Sequence, residues 1–431
     1  MDRQKKIIEL KKAGVQLPKR VISRQIIQEI LPWMERDEII VITGARQTGK
    51  SVLLFQLMYD YLLPKTANIH YFNLDIPRQS KLLETPDHLI KLAKISKGKM
   101  YIFIDEVQRL REPGIFLKGI YDLHLPLKIF VSGSSALEIK SRVHEALTGR
   151  KALFHLSPFN LNELSEALFP NKSFTQVAHD EGCFKMVLEH LLTFGGYPAV
   201  ALAKGEALKV KLLNEIYTSY LEKDVKYFLK VENEMAFRNL VKILSSQIGN
   251  LVNKDEISRS LGIHKNTLDN YLFYLEQTFL MDFVRPFYRN PRKELLKSPK
   301  VYFCDLGIRN FAIGSFGEFE YRPDKGALLE NSVYLSLKER SGPAMSVHFW
   351  RTKAGAEVDF VVLKGLEPIP FEVKATKMKE ARISKSLRSF IQTYQPHKAY
   401  CVTLSYRGSQ RVEETEVSFL MPEDLCESKL S

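Results

Sequence analysis

Apolar and polar residues alternate at two different spacings along the first 160 residues. Short apolar runs, rich in isoleucine, valine and phenylalanine, are separated by longer stretches in which apolar residues recur at helical spacing. The short runs predict strands at residues 39–43, 68–74, 100–104, 128–132 and 152–156. Because strands that alternate with helices form parallel sheets, the pattern indicates an α/β fold with helices on both faces of one sheet.

The pattern changes after residue 160. Residues 160–250 are predicted to be mostly helical, with a break at the sequence Phe-Gly-Gly-Tyr-Pro of residues 194–198. Residues 1–35 are also predicted to be helical. A mixed pattern returns after residue 300, with a helix predicted at 326–340 and strands predicted between 346 and 374.

Residues 44–51, GARQTGKS, fit the phosphate-loop pattern G-x-x-x-x-G-K-[ST]. A predicted strand precedes the loop and an apolar helix follows it, so backbone N–H groups and a helix N-terminus converge on an anion. We expect Lys50 to reach the β- and γ-phosphates of ATP and the Ser51 hydroxyl to coordinate Mg²⁺. The residues predicted to bind the nucleotide are Gly44, Ala45, Arg46, Gln47, Thr48, Gly49, Lys50, Ser51 and Val52.

Two carboxylates, Asp105 and Glu106, follow the strand predicted at residues 100–104, about 55 residues after the phosphate loop. Phosphoryl transfer needs one carboxylate in the Mg²⁺ shell and another that polarises the attacking water. We therefore predict that Asp105 holds the metal and that Glu106 activates the water. An acidic pair at a strand end can also be an ordinary solvated turn.

Polar groups follow the next strand as well. Ser134 or Ser135 is predicted to hydrogen-bond the γ-phosphate or the attacking water, the alternative being a helix N-cap. Arg150 lies on a loop before the last predicted strand. Its guanidinium is predicted to neutralise charge in the transition state, either in its own subunit or across a subunit boundary. The alternative is a surface arginine.

The motifs GARQTGKS, YIFIDE, VSGSS, LTGRKALFHLSPFNLNEL and FGGYP occur in this order. In this combination the chain resembles the prokaryotic AAA-type ATPases that carry a C-terminal domain with nuclease-like motifs. The resemblance covers essentially the entire chain. It implies an AAA-type P-loop core in residues 1–160, a helical and winged-helix domain in 161–300, and a restriction-endonuclease-like α/β domain in 301–431. It also implies that Asp105, Glu106, Ser134 or Ser135 and Arg150 act as metal, water, sensor and finger residues.

Residues 254–272 have the layout of a helix-turn-helix. A first helix carries Ile257 and Leu261, Gly262 makes the turn, and a second helix begins near His264 and buries Leu268. The start of the second helix would reach a DNA major groove with four exposed polar residues, His264, Lys265, Asn266 and Asp269. The basic segment 285–300 follows where a wing would lie. The alternative is a lid that contacts protein only.

Four acidic residues and a lysine are predicted to meet near the C-terminus. Glu330 lies on the helix at 326–340, Asp359 follows Glu357 at strand spacing, and Glu372-Val-Lys374 lies on the probable partner strand. A helical Glu, an Asp and E-x-K resemble the restriction-endonuclease pattern. The resemblance implies that Glu330, Asp359 and Glu372 hold Mg²⁺ and that Lys374 is catalytic. A cross-strand cluster of ion pairs is the alternative.

The 431 residues include 63 basic and 50 acidic residues, a net charge of +13, which favours nucleic acid, DNA first, as a partner. Four distant cysteines indicate a reducing compartment, and no apolar run is long enough for a membrane span. We expect a cytoplasmic ATPase that is able to form homo-oligomers. Its nucleotide state is expected to control nucleic-acid binding and metal-dependent cleavage. The alternatives are an ATP-driven switch or assembly protein without nuclease activity, and a motor.

Overall fold

The short apolar runs form one parallel sheet in the computed structural model, which describes residues 3–427 except 97, 134–146, 223–224, 226–232, 289–296 and 343. The strands are β1 (Ile39–Thr43), β2 (Ile69–Asn73), β3 (Met100–Asp105), β4 (Leu127–Gly133) and β5 (Lys151–His155). Their order is β2-β3-β4-β1-β5, and all neighbours are parallel. The predicted parallel sheet is confirmed, and the carboxyl ends of β1, β3 and β4 lie side by side.

Each face of this sheet is covered by its own apolar core. Side chains alternate between the faces, so Ile40 and Ile42 join one core while Ile39 and Val41 join the other. The surrounding helices are α1 (Arg3–Lys12), α2 (Ile26–Ile30), α3 (Lys50–Gln56), α4 (Pro77–Leu82), α5 (Asp87–Ile95) and α6 (Pro113–Tyr121). The prediction of helix throughout residues 1–35 is wrong for 13–25, because Gly14 and Pro18 interrupt it.

The chain divides into two compact units, each with its own contacts. The first contains Met1–Ser157 and Gln277–Phe279, and the second contains Pro158–Glu276 and Leu280–Ser431. The predicted division of the second unit near residue 300 stays a prediction.

The first part of the second unit is helical, as predicted for residues 160–250. Its helices are α7 (Leu161–Leu168), α8 (Phe174–Ala178), α9 (Glu181–Phe194), α10 (Pro198–Ala201), α11 (Glu206–Ser219), α12 (Glu234–Ser246), α13 (Lys254–Leu261) and α14 (Lys265–Gln277). Gly262 ends α13 with φ 63°, and Leu268, Tyr271, Leu272 and Leu275 of α14 are buried. The two predicted helices and their turn are therefore confirmed.

The break at Phe194-Gly-Gly-Tyr-Pro198 is held by a buried aspartate. Asp305 accepts hydrogen bonds from the Gly196 N–H (2.7 Å) and the Ile308 N–H (3.0 Å), and it caps α15 (Leu306–Ile313). A Cβ on Gly195, whose φ is 75°, would lie 2.2 Å from Asp305 Oδ1. The motif therefore requires glycine because the Asp305 carboxylate lies directly against the backbone at the end of α9.

Two further sheets complete the second unit. Strands β6 (Met281–Val284) and β7 (Lys300–Phe303) form an antiparallel pair. The larger sheet has the order β12-β13-β11-β10-β9-β8. Its strands are β8 (Met345–Arg351), β9 (Glu357–Lys364), β10 (Glu367–Lys374), β11 (Lys398–Thr403), β12 (Gly408–Val412) and β13 (Thr415–Leu420). The helices that accompany it are α16 (Lys325–Arg340), α17 (Lys385–Tyr394) and α18 (Asp424–Glu427).

Candidate functional site

The predicted phosphate loop connects the end of β1 to the start of α3. Gly44 is needed for close packing, because a Cβ there would lie 2.3 Å from the Leu156 carbonyl oxygen. Gly49 has φ 96°, in the left-handed region that favours glycine, and it stands at the N-terminus of α3. The loop therefore presents backbone N–H groups and a helix N-terminus at the carboxyl edge of the sheet, as an anion site requires.

Buried cations hold the loop in shape. Lys50 is buried, with its Nζ 3.0 Å from the Gly44 carbonyl oxygen and 2.7 Å from the Ala45 carbonyl oxygen. The Arg24 guanidinium, also buried, donates to the carbonyl of Thr48 at 2.8 Å and to that of Ser157. The ammonium of Lys50 thus lies over the loop in which phosphates were predicted to bind.

Asp105 ends β3 next to this loop and is almost fully buried, with 2% exposure. Its Oδ2 accepts a hydrogen bond of 3.0 Å from the Tyr71 hydroxyl, and its Oδ1 accepts one from the Ser132 hydroxyl. These donors come from β2 and β4, the two neighbours of β3. The carboxylate is therefore fixed in one orientation by both adjoining strands.

Glu106 follows in a backbone conformation unusual for a residue with a side chain. Its φ is 58°, a left-handed conformation that costs roughly 1–3 kcal/mol outside glycine and is typical of functional sites. Burial raises the pKa of its carboxyl group, Asp105 adds to the rise, and the Lys50 ammonium opposes it. Gln108 Nε2 donates to Glu106 Oε2. Glu106 therefore lies within the field of Lys50, close to the predicted phosphate site.

Two residues of this site, Tyr71 and Ser132, were not predicted from the sequence. Ser132 and Tyr71 contact Asp105 directly, and the Ser132 Oγ also lies 3.4 Å from the Glu106 N–H. A hydroxyl inside the apolar run of β4 was the available signal for Ser132. Ser134 and Ser135 lie outside the described residues, so the predicted sensor role stays a prediction.

Arg150 lies at the amino-terminal end of the strands, whereas the phosphate loop lies at their carboxyl end. It immediately precedes β5, whose Lys151 pairs with Ile39 at the start of β1, whereas the phosphate loop follows the end of β1. Four residue steps along a strand span about 13 Å. The Arg150 Nε is 2.9 Å from Asp122 Oδ1. The catalytic role of Arg150, in its own subunit or across a subunit boundary, stays a prediction, and its position favours the second.

The predicted hairpin of the C-terminal cluster is confirmed, since β9 and β10 are antiparallel neighbours. Lys300, the last residue of the basic segment in which a wing was predicted, is buried beside these carboxylates. Its Nζ lies 2.6 Å from Glu357 Oε1 and 3.2 Å from Glu330 Oε1. The Tyr302 hydroxyl also donates to Glu330 Oε1, at 2.5 Å. A lysine ammonium thus lies where the predicted metal shell would form.

The remaining carboxylates of the cluster also have protein partners. Asp359 Oδ2 accepts the Val373 N–H at 2.7 Å, and Glu372 Oε1 lies 2.8 Å from Lys374 Nζ. Burial raises the pKa of Asp359 to about 7, and the Glu330 carboxylate adds to the rise. Across the described part of the chain, no three His, Cys, Asp or Glu side chains are arranged to hold a metal ion. The predicted Mg²⁺ shell of Glu330, Asp359 and Glu372 stays a prediction.

The two helices α13 and α14 expose the predicted polar residues but pair several of them internally. His264, Lys265, Asn266 and Asp269 are exposed. Lys254 Nζ lies 2.6 Å from Asp269 Oδ1, and Lys265 pairs with Asp255. Residues 254–277 contain three Lys or Arg residues and four Asp or Glu residues. This surface is therefore slightly acidic, although the chain as a whole is basic.

In the described residues we find no helix long and apolar enough to cross a membrane.

Three families match separate parts of the chain. Residues 36–165 match a family described as AAA domain, whereas residues 186–318 and 325–422 match domains of unknown function, DUF8612 and DUF4143. The chain is 25% identical over 423 residues to an uncharacterized protein of Haemophilus influenzae, covering 94% of this chain and 99% of that relative. It is also 25% identical over 366 residues to an uncharacterized protein of Methanocaldococcus jannaschii, covering 83% of this chain and 79% of that relative.

Among solved structures, a mutant RuvB of Thermotoga maritima covers 61% of this chain and 90% of its own, with 15% identity and a TM-score of 0.31. AMPPCP-bound DnaA from Aquifex aeolicus covers 60% of this chain and 89% of its own, with 15% identity and a TM-score of 0.32. At these TM-scores no conclusion rests on either likeness. The match of residues 36–165 agrees with the parallel sheet, the phosphate loop and the Asp105–Glu106 pair, and the chain therefore carries an AAA-type ATPase domain.

Proposed function

We propose that the protein binds and hydrolyses Mg²⁺·ATP at the carboxyl edge of its parallel sheet. The observation that carries this proposal is that the loop of Lys50 after β1 and the Asp105–Glu106 pair after β3 lie at the carboxyl edge of one sheet, on either side of β4. Asp105 is held by both strands that neighbour β3. Lys50 and the loop N–H groups bind the phosphates, and the Ser51 hydroxyl and Asp105 hold the Mg²⁺ shell. Glu106 orients the attacking water. The metal neutralises charge that develops on the transferring phosphoryl group.

We further propose that the nucleotide state controls contact of the second unit with a polyanion, with DNA as the favoured form. The net charge of +13 favours such a partner. The contact surface that we favour is the basic strip, which we define as the exposed cations after β10 and at the start of α17. Its members are Lys377, Lys379, Arg382, Lys385 and Arg388.

The basic strip has two properties that suit phosphate contacts. Its loop is held to the turn that follows β11 by two hydrogen bonds: the Met378 N–H donates to Ser405 Oγ at 2.8 Å, and Ser405 Oγ donates to the Met378 carbonyl at 3.0 Å. The first turn of α17 carries no acidic residue. Cations near a helix N-terminus are repelled by the positive end of the helix dipole, so they destabilise the free protein. A bound anion compensates this repulsion.

The test is binding of labelled double-stranded DNA, single-stranded DNA and RNA with ATP, ADP and an unhydrolysable analogue, at several salt concentrations. We expect affinity to depend on the nucleotide and to fall steeply with salt, with a logarithmic slope of roughly −0.9 per phosphate contact on duplex DNA. Replacing Lys377, Lys379 and Arg382 by alanine should lower both affinity and slope. The matched control replaces the exposed Lys5, Lys11 and Lys12 of α1, an equal change in charge. Equal losses in both triple variants would contradict the basic strip.

A second function is favoured by the surface of α13 and α14. Their charged side chains pair with one another, and Phe273 on α14 is 48% exposed. An aromatic residue among balanced charges is typical of a protein contact. In this alternative, ATP changes the assembly state and the second unit binds protein partners. Nucleotide-dependent assembly that Phe273→Ser abolishes, without any binding to DNA or RNA, would favour the switch over the polyanion-binding ATPase.

A further inference from the structure

The Lys300 side chain is almost fully buried. The residue opens β7 and is 2% exposed. Removing an unpaired ammonium from water is very costly, so a buried lysine persists only where carboxylates and hydrogen bonds compensate it. Here Glu357 on β9 lies 2.6 Å from Nζ, and Glu330 on α16 lies 3.2 Å from it. Lys300 therefore joins three separate elements of the second unit through its charge.

The Lys300 ammonium in turn compensates the negative charge of the surrounding carboxylates. Without a cation, Glu330, Glu357 and Asp359 would repel one another in a poorly hydrated site. Two carboxylate oxygens lie within 3.2 Å of the Lys300 Nζ, an arrangement that favours the protonated lysine. The ammonium is thus charged at neutral pH and supplies the positive charge that the cluster requires.

The other half of the cluster has a cation of its own. Glu372 is 4% exposed and pairs with Lys374 at 2.8 Å, and Asp359 accepts a backbone N–H. Within the described ranges no set of three acidic or other ligand side chains is arranged to hold a metal ion. We propose that the Lys300 ammonium is the resident cation of this cluster and excludes a divalent metal, so that the C-terminal sheet does not cleave nucleic acid by metal-dependent chemistry.

The Lys300 ammonium cannot supply the chemistry of a divalent metal. Metal-dependent hydrolysis of a phosphodiester needs a cation that lowers the pKa of bound water and contacts the phosphate. An ammonium with carboxylates at 2.6 and 3.2 Å has no coordination position for water and is buried away from a phosphate. The cluster therefore fixes β7 against α16 and β9. This inference does not depend on the ATPase proposal, which concerns the other unit.

The experiment measures Mn²⁺ binding and melting temperature of the full-length, nucleotide-free protein, with a chelator as reference. We expect the wild type to bind no Mn²⁺ in the second unit and to melt at the same temperature with metal and with chelator. Lys300→Ala leaves the carboxylates uncompensated, so its melting temperature in chelator should fall by about 10 °C. Mn²⁺ should then bind to this variant and restore part of the loss. Adding Asp359→Asn should abolish that binding.

Two controls separate the resident cation from general effects of charge. Lys300→Arg keeps the positive charge, so it should stay insensitive to metal even if Lys300→Ala fails to fold. Lys297→Ala removes an exposed lysine three residues away and should leave both readouts unchanged. Wild-type protein that binds Mn²⁺, with Asp359→Asn removing the binding, would overturn the proposal. So would a folded Lys300→Ala protein that binds no metal.

Discussion

The Tyr71 hydroxyl donates a 3.0 Å hydrogen bond to Asp105 Oδ2, which joins the end of β2 to the end of β3. The opposite oxygen of the same carboxylate accepts from Ser132 on β4. Burial, followed by the nearby Asp105 carboxylate, raises the pKa of the Tyr71 hydroxyl, so it is protonated and remains a donor at any physiological pH. Asp105 is therefore held by two hydroxyls and enters the proposed Mg²⁺ shell already oriented.

Tyr71→Phe should lower ATP turnover more than it lowers ATP affinity. The ring remains to pack against Phe55, 5.4 Å between centroids, while the hydrogen bond to Asp105 is lost. A hydrogen bond to a charged group contributes roughly 1.5–3 kcal/mol, so we expect turnover to fall by about tenfold to hundredfold. Steady-state hydrolysis over a range of Mg²⁺ concentrations measures the effect. Unchanged turnover with an unchanged Mg²⁺ requirement would remove Tyr71 from the positioning of Asp105.

Arg150→Ala should retain ATP binding and should lower turnover only in assembled protein, because Arg150 lies at the far edge of its own sheet. Asp122→Ala is the matched control, since it removes the same 2.9 Å ion pair but leaves the guanidinium in place. We expect a loss of roughly 10²-fold for Arg150→Ala and little change for Asp122→Ala. Mixing Arg150→Ala with Glu106→Gln protein should restore part of the activity through mixed interfaces. Equal behaviour of the two alanine variants would make Arg150 a structural residue.

Asp305→Asn should change how stability depends on pH. Burial raises the pKa of Asp305 from 3.8 to about 6, against the opposing hydrogen bonds from backbone N–H groups. A carboxyl group with a raised folded-state pKa contributes stability that is fully present below the unfolded value and is lost as pH rises through the folded value. The wild type should therefore lose about 3 kcal/mol relative to Asp305→Asn between about pH 3 and pH 7, with most of the loss between the two pKa values.

Denaturant unfolding of both proteins across this pH range measures that difference. Asparagine has a single acceptor oxygen, so the variant can keep the hydrogen bond from the Ile308 N–H but not also the one from the Gly196 N–H. That loss lowers the stability of the variant equally at every pH, so the comparison depends on the slopes of the two pH curves. Parallel pH curves for the two proteins would show that Asp305 does not titrate as described.

The sheet and the phosphate loop could be predicted from sequence because their signals are local. The apolar runs fix each strand, and Gly44 to Ser51 carry the loop chemistry within eight consecutive residues. The contacts of Asp105 could not be predicted in the same way. Ser132 and Tyr71 reach it only because β4 and β2 flank β3, and the order of strands is a tertiary property.

The burial of Lys300 could not be predicted from the sequence. In the sequence it follows a basic, proline-containing segment, and such charge runs are usually exposed. Its burial depends on Glu357 and Glu330, which come 57 and 30 residues later and meet it only through the packing of β9 and α16. Likewise, the loop position of Arg150 gave no information about which edge of the sheet it would occupy.

The proposed ATPase site is tested by ATP binding and ATP turnover, determined side by side for the wild type, Glu106→Gln and Lys50→Ala. We expect Lys50→Ala to lose ATP binding, because the buried ammonium over the loop is removed. Glu106→Gln should bind ATP as the wild type does and should hydrolyse it roughly 10²–10³-fold more slowly. Turnover in Glu106→Gln equal to that of the wild type, or ATP binding that survives Lys50→Ala unchanged, would contradict the account.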